Sequence, residues 1–148
     1  MKSVFDPSVR NELISRIHFV NEKSPAQWGK MNAYQMVKHC RLCDEMFQGS
    51  LKIKRVFIGR LIGPMVLKKV LKDDKPFGKN APTSERLCLP ESSGDISQRK
   101  NEWISRVREY EHFNNPAFVH PFFGPMTPEQ VGRLAYKHAD HHLRQFGA

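Results

Sequence analysis

The stretch TPEQVGRLAYKHADHHLRQF, residues 127–146, has the pattern of one long amphipathic helix. Thr127 and Gln130 form a capping box, in which each side chain satisfies a free backbone N–H, and the proline after Thr127 suits the first helical position. Val131 and Leu134 then begin an apolar stripe at helical spacing. We therefore predict a helix over this whole stretch, with the stripe facing a core.

Two histidines lie at the centre of this stripe. Successive helical residues are about 100° apart, so His138 and His142 fall within about 20° of Val131. His141 falls on the flank of the stripe. Asp140 falls on the opposite side of the helix, and we expect it to face solvent.

Two stacked imidazoles on a core-facing stripe need partners, because a buried polar group without a hydrogen bond is destabilising. A divalent metal ion is one such partner, since histidines four residues apart on a helix can reach the same ion. Hydrogen bonds to the backbone or to carboxylates are the alternative. His138 and His142 alone leave both explanations open.

The rest of the chain is also predicted to be helical. Asp6, followed by proline, indicates the start of a helix, and Asn32 begins a stretch of capping-box form that Gly49 would end. A later segment is both apolar and basic, and the Gly-Pro pair at residues 63–64 should kink or break its helix. We predict helices over about residues 7–20, 32–48, 51–71, 96–113 and 127–146, with long loops over residues 72–95 and 114–126.

These elements define an all-α fold. The sequence has no alternating strand pattern and no internal repeat, and four main helices with one kinked extra segment are typical of a helical bundle. A length of 148 residues fits a single domain over residues 1–148.

The composition, 39% hydrophobic and 26% charged, is that of an ordinary globular domain. No apolar run approaches the ~18 residues that a membrane-spanning helix needs. The N-terminal residues lack the apolar core of a signal peptide. We therefore expect a cytoplasmic protein without a membrane partner.

Most of the net charge of +9 lies in one segment. Residues 51–86 contain ten Lys or Arg and three Asp or Glu, so this segment contributes +7 of the +9. A basic segment can attract nucleic acid, anionic lipid or an acidic ligand. Because no nucleic-acid-binding motif accompanies it, we interpret it as a solvated face and do not expect a nucleic-acid partner.

A third histidine is predicted to face the same core. On the helix over residues 32–48, His39 lies at the edge of an apolar stripe that includes Cys43. A lone inward histidine is usually a core residue, but His39 with His138 and His142 would place three imidazoles on two facing helices. Three histidines leave positions open for water or substrate, as in catalytic rather than structural metal sites.

The cysteines are interpreted as structural. Cys40 and Cys43 form a C-R-L-C motif, but it lies in the middle of a predicted helix with no strand before it, unlike a thioredoxin-type redox motif. An odd number of cysteines also argues against a disulfide framework. Cys40 or Cys43 as a metal ligand is a less favoured variant.

The remaining histidines divide into two groups. His120 precedes a proline just before the last helix, where it could act as a proton carrier beside the site or simply fix a turn. His18 and His112 lie near helix ends, and we assign them no role.

The motifs together resemble those of the DinB/YfiT-like metalloenzymes, and more narrowly a subfamily of unknown function. His138, His141, His142 and Gln145 match the closing H-x-x-H-H-x-x-Q signature of that family. The stretches that carry the resemblance are WGKMNAYQMVKHC at residues 28–40, HPFFG at residues 120–124, and residues 127–146.

The resemblance implies a four-helix bundle of up-down-down-up topology, often dimeric. It also implies a divalent metal, commonly nickel or zinc, bound by His39, His138 and His142. Characterised relatives include transferases that activate a low-molecular-weight thiol on the metal, together with isomerases and hydrolases.

The favoured function is therefore that of a metal-dependent thiol S-transferase acting on a small molecule. A basic rim formed by Lys68, Lys69, Lys72 or Lys79 could hold the carboxylates of the thiol. A metal-dependent hydrolase needs the same three ligands. A non-catalytic binding or stress protein on the same bundle is the main alternative, and the apolar-basic segment could be a dimer face or a core helix.

Overall fold

The structure is a computed structural model that describes residues 1–73, 75–79, 84–87 and 90–148, with only the backbone described at residue 85. It is mostly helical, as predicted. The helices are α1 (Pro7–Phe19), α2 (Ala33–Gln48), α3 (Phe57–Val70), α4 (Ile96–Glu109) and α5 (Pro128–Gln145). Short 3-10 turns lie at Glu85–Leu87 and Tyr110–His112, and the two-residue strands β1 (Val119–His120) and β2 (Gly124–Pro125) pair antiparallel.

The predicted helix ends are confirmed where local chemistry specifies them. At the start of α2, the Asn32 side chain accepts from the Gln35 N–H at 2.9 Å, and Gln35 accepts from the Asn32 N–H at 3.1 Å. Gly49 ends α2 in the left-handed conformation, with φ of 89°. Thr127 and Gln130 form the same reciprocal cap at the start of α5.

The third helical segment differs from its prediction. Helix α3 begins at Phe57, because the chain before it is extended and the Val56 N–H donates to the Pro121 carbonyl at 3.0 Å. Of the predicted kink or break near Gly63-Pro64, the break is wrong, since α3 continues through Pro64. Proline has no N–H to donate to the carbonyl one turn earlier in the helix. Because Pro64 is exposed, water can hydrogen-bond to that carbonyl instead.

The loops also contain structure that the sequence pattern did not predict. Strands β1 and β2 are too short for an alternation of apolar and polar residues to be recognised. The helix predicted over residues 96–113 ends as an α-helix at Glu109 and finishes as a 3-10 turn. Part of the predicted loop over residues 72–95 lies outside the described residues.

Helices α1, α2, α4 and α5 enclose the core. Helix α2 packs mainly on α4 and also on α5, and α1 contacts both α4 and α5. Trp103, Leu13, Ile17, Met36 and Leu143 have no exposed surface. Each such side chain stabilises the fold by roughly 1.5–3 kcal/mol or more through burial. In the part of the chain that the structure describes, no helix has the length and apolar character needed to cross a bilayer.

The expectation that Asp140 faces solvent is wrong. Asp140 is buried, and its carboxylate accepts from Arg16 and Arg144, each at 2.8 Å. The error arises because α5 does not have a wet side opposite its apolar stripe. Arg16 of α1 covers this side at Asp140, and the N-terminal segment covers α5 nearer its start, where the Val4 N–H donates to the Gly132 carbonyl at 3.1 Å.

A second buried acid joins α2 to the end of α4. The carboxylate of Asp44 accepts from the Trp103 indole N–H at 2.9 Å and from the Tyr110 hydroxyl at 2.7 Å. Burial raises the pKa of Asp44 to about 7, against the opposing effect of these two hydrogen bonds. The charged form of Asp44 is therefore disfavoured in the folded protein.

We expect Asp44→Asn to keep both contacts while removing this pH dependence. The amide oxygen can accept from Trp103, and the amide nitrogen can donate to the Tyr110 oxygen. Because the folded pKa of about 7 exceeds the ordinary value of 3.8, the contribution of Asp44 to stability is complete below pH 3.8 and declines as pH rises towards 7. In urea denaturation, the free energy of unfolding of Asp44→Asn should therefore rise relative to that of wild type as the pH increases from 3.8 to about 7.

The control is Asp44→Leu, which leaves two buried donors unpaired and should destabilise the fold at every pH by about 1–3 kcal/mol per donor. A constant difference between Asp44→Asn and wild type from pH 4 to pH 7 would show that Asp44 is ionised in the fold throughout.

Candidate metal centre

Three histidines from two helices meet in the core. His39 comes from α2, and His138 and His142 lie one turn apart on α5. The Nε2 atoms of His39 and His138 are 3.1 Å apart, and one nitrogen from each of the three rings lies within 4.8 Å of the others. The structure therefore brings together the three residues that the sequence analysis proposed as ligands.

A backbone carbonyl fixes the orientation of the His39 ring. The Nδ1–H of His39 donates to the carbonyl of Leu87 at 2.9 Å, at the end of the 3-10 turn Glu85–Leu87. Since a carbonyl can only accept, the proton of the neutral ring lies on Nδ1. The lone pair of Nε2 then faces Nε2 of His138, from which it can accept a hydrogen bond when no metal is bound.

A relay of two hydrogen bonds orients His142 in the same way. The Nδ1 of His142 lies 2.8 Å from Oε1 of Gln145, and Nε2 of Gln145 donates to the carbonyl of Trp28 at 2.6 Å. The Trp28 carbonyl requires the amide NH₂, so the amide oxygen faces His142 and accepts its Nδ1–H. The Nε2 lone pair of His142 is therefore also free.

The geometry and chemistry of these nitrogens fit a metal ion. Ligands about 2.05 Å from a tetrahedral zinc ion lie about 3.3 Å apart, which is close to the 3.1 Å between His39 and His138. The widest separation in the cluster, up to 4.8 Å, would have to shorten when the ion binds. Hydrogen bonds from the distal ring nitrogens to carbonyl groups are a typical feature of metal-binding histidines. His39 and His142 are buried, and His138 is partly exposed.

Burial keeps all three rings neutral. It lowers the pKa of His142 to about 3, with repulsion from His39 adding to the effect. It lowers the pKa of His138 well below the ordinary value, again with repulsion from His142 and His39. The pKa of His39 is lowered chiefly by burial as well. Neutral imidazole is the form that binds a metal.

The cysteines of α2 lie close to the cluster but outside it. The Cys43 sulfur is 3.7 Å from Nε2 of His39, and the Cys40 sulfur lies 3.8 Å from the Met36 sulfur. Both cysteines are buried and neither forms a disulfide bond, and the C-R-L-C motif lies within a helix as predicted. Among the described residues, the group whose ligand atoms converge contains histidines alone.

His120 has a contact that fits the turn-fixing alternative. Its Nδ1 accepts from the backbone N–H groups of Phe122 and Phe123, at 3.1 and 3.2 Å, so the ring proton lies on Nε2. Burial, followed by the charge of Arg55, lowers the pKa of His120 to about 4. His120 is not part of the converging group. Its role as a proton carrier stays a prediction.

Other residues around the centre were given no role from the sequence. Leu87 and Trp28 orient the ligands through backbone carbonyls, for which sequence has no signal. Gln145 matched the closing signature of the resemblance, and it lies one turn after His142 on the same helix face. His141 was placed on the flank of the stripe, and it is buried against Trp28, with ring centroids 5.5 Å apart.

The lysines suggested as a basic rim lie in two separate places. The ammonium of Lys79 lies 4.6 Å from the centroid of the Trp28 ring, beside the relay that holds His142. Lys68, Lys69 and Lys72 are exposed at the C-terminal end of α3 and beyond it. His18 and His112, to which no role was assigned, are exposed.

These contacts define a mostly helical protein in which three neutral histidines could bind a metal. The chain belongs to the family described as protein of unknown function (DUF1569), whose model matches residues 8–148. No curated protein and no solved structure was found to match it.

We expect metal affinity to be insensitive to pH where ordinary histidines would be protonated. Protons compete with the metal only below the folded-state pKa values, and that of His142 is about 3 rather than 6.5. Zinc affinity measured by calorimetry, with correction for buffer protonation, should change little between pH 7 and about pH 5.5. A steady loss of affinity immediately below pH 6.5 would show instead that the free rings titrate normally.

Gln145→Leu is expected to weaken zinc binding by about 10–100-fold, because it removes the acceptor that holds the His142 ring. Gln145→Glu keeps that acceptor and should weaken binding less, although it loses the bond to Trp28. Circular dichroism should show the helices intact in both variants. Equal affinity in wild type and Gln145→Leu would mean that packing alone orients His142.

Proposed function

We propose that this protein is a metal-dependent enzyme whose centre is formed by His39, His138 and His142. The observation that carries the proposal is the protonation pattern of the cluster. His39 and His142 each donate Nδ1–H to a fixed oxygen, which leaves their Nε2 lone pairs directed into the cluster. Without a metal, the His39 lone pair can accept from the Nε2–H of His138 at 3.1 Å, whereas a cation would bind a lone pair from each of the three rings at once.

Nickel and zinc are the metals we propose. A set of neutral imidazoles suits zinc, nickel, copper and iron, whereas magnesium and calcium prefer oxygen. Three ligands leave a coordination position open, as a catalytic site requires. When bound, the metal would lower the pKa of a coordinated thiol, so that the thiolate forms at neutral pH.

Within this site each residue has a distinct role. The three histidines hold the metal, and the carbonyl of Leu87 and the amide of Gln145 hold two of their rings in place. His120 carries its proton on Nε2 and is near enough to affect the pKa of His138, so we propose that its Nε2–H donates a hydrogen bond to the leaving group. Lys79 is the favoured cation for a substrate carboxylate because of its position on Trp28.

The reaction we propose is transfer of a low-molecular-weight thiol to a small electrophile, in a cytoplasmic protein. A metal-dependent hydrolase would use the same ligands, but a carboxylate base is commonly paired with the metal in such sites. In the described part of the chain, no carboxylate belongs to the converging group. This observation favours the transferase over the hydrolase.

The proposed fold is the up-down-down-up four-helix bundle of the DinB/YfiT-like proteins. Mutual packing of α1, α2, α4 and α5 supports it, with α3 placed outside these four. The positions of His138, His142 and Gln145 on one face of α5 support it as well. A non-catalytic protein on the same fold remains the competing function.

The test is elemental analysis of untagged protein purified without chelator, combined with a thiol-consumption assay. We expect about one nickel or zinc per chain, and loss of both metal and thiol consumption in His138→Ala. The probes are cysteine, glutathione and coenzyme A, each with an aryl halide or epoxide. The matched control is His112→Ala, which removes an exposed histidine outside the cluster.

Two outcomes would overturn the proposal. Absence of metal after reconstitution at neutral pH would favour the non-catalytic protein. Turnover of an ester or amide that requires metal but no thiol would identify a hydrolase.

A further inference from the structure

Helix α3 carries a row of exposed apolar side chains. Phe57, Ile58, Leu61 and Met65 are 76%, 52%, 66% and 68% exposed, and they lie on one side of the helix at spacings of three and four residues. We call these four residues the α3 apolar face. Most of the large hydrophobic side chains that are exposed in the described residues belong to it or directly precede it. Contiguous exposed apolar surface of this kind marks an interaction site.

The packing of the opposite side of α3 keeps the α3 apolar face exposed to solvent. Gly59 and Gly63 press against the backbone of Phe122, so closely that an added Cβ would lie 2.4 and 2.1 Å from its carbonyl oxygen. Leu67 is buried further along the same side. The helix therefore cannot rotate to bury its apolar face without losing these contacts.

Positive charge surrounds the face. Between residues 51 and 72 the chain has seven Lys or Arg and no Asp or Glu. At about 100° per residue, Arg60 and Lys69 flank the face on its two sides, and Lys68 and Lys72 continue it beyond Met65. Arg60, Lys68, Lys69 and Lys72 are exposed, and none forms an ion pair with another described residue.

We propose that the α3 apolar face docks on the surface of an anionic lipid bilayer. Apolar side chains would enter the boundary between headgroups and acyl chains, and the surrounding cations would contact anionic headgroups. A bilayer surface offers an apolar layer and anionic headgroups together over one flat area. The 14 residues of α3 would lie in the plane of the interface and would not cross the membrane.

A second copy of the chain fits this face less well. Pairing two α3 helices would bring the unpaired cations of both copies to one contact, where they repel. A single helix about 21 Å long also offers less area than the roughly 800 Å² per partner of a stable interface. This proposal departs from the sequence-based expectation of no membrane partner, in which the basic segment was interpreted as a solvated face. Docking on a bilayer surface does not require a membrane-spanning helix.

Vesicle flotation of the full-length protein tests the proposal. We expect binding to vesicles of phosphatidylcholine with phosphatidylserine, little binding to phosphatidylcholine alone, and release at high salt. Each cation at an anionic surface raises the binding affinity about fivefold. The double substitution Lys68→Glu and Lys69→Glu should therefore weaken binding by more than about tenfold. Leu61→Ser should weaken it by about tenfold through lost apolar contact.

The controls make equivalent changes elsewhere on the surface. Phe19→Ser removes a side chain that is 73% exposed on α1, and Lys23→Glu with Lys30→Glu reverses two exposed cations outside the basic segment. Both controls should bind as wild type does, and circular dichroism should be unchanged throughout. Equal binding to neutral and anionic vesicles, or equal weakening in test and control variants, would overturn the proposal. So would a dimer in light scattering that Leu61→Ser converts to monomer.

Discussion

The burial of α5 on nearly every side is the constraint on which the rest of the structure depends. A helix enclosed in this way must find a partner inside the protein for each polar side chain, because water cannot supply one. Asp140 is satisfied by Arg16 and Arg144, and the His142 Nδ1–H by Gln145. The Nε2 lone pairs of His39 and His142 face the cluster, where a cation could bind them.

The two buried acids of the core show how the choice of partner sets charge. Asp140 has two guanidinium groups and is held as an ion pair. Asp44 has a hydroxyl and an indole N–H, which satisfy hydrogen bonding but do not neutralise charge, so burial raises its pKa to about 7. The histidines follow the same rule in the opposite sense, because burial lowers their pKa values and keeps them neutral.

The two proposed sites lie on different parts of the molecule and differ in their surroundings. The centre between α2 and α5 is enclosed, with fixed ring orientations, which favours selective binding of a small ligand. The α3 apolar face is outside this core, exposed and flanked by cations, which favours a large flat partner. The glycines that dock α3 on the backbone of Phe122 allow close packing on one side of this helix, while larger side chains occupy the other side.

The sequence by itself determined the features that depend on neighbours within one or two helical turns. The caps at Asn32 and Thr127, the end of α2 at Gly49 and the shared stripe of His138 and His142 are of this kind, because a few residues contain all the necessary chemistry. Tertiary structure alone decided the burial of Asp140, the orientation of His142 through Trp28, and the outward face of α3. Each of these depends on a contact between residues far apart in the chain, such as Gln145 with Trp28, and no local pattern specifies such a partner.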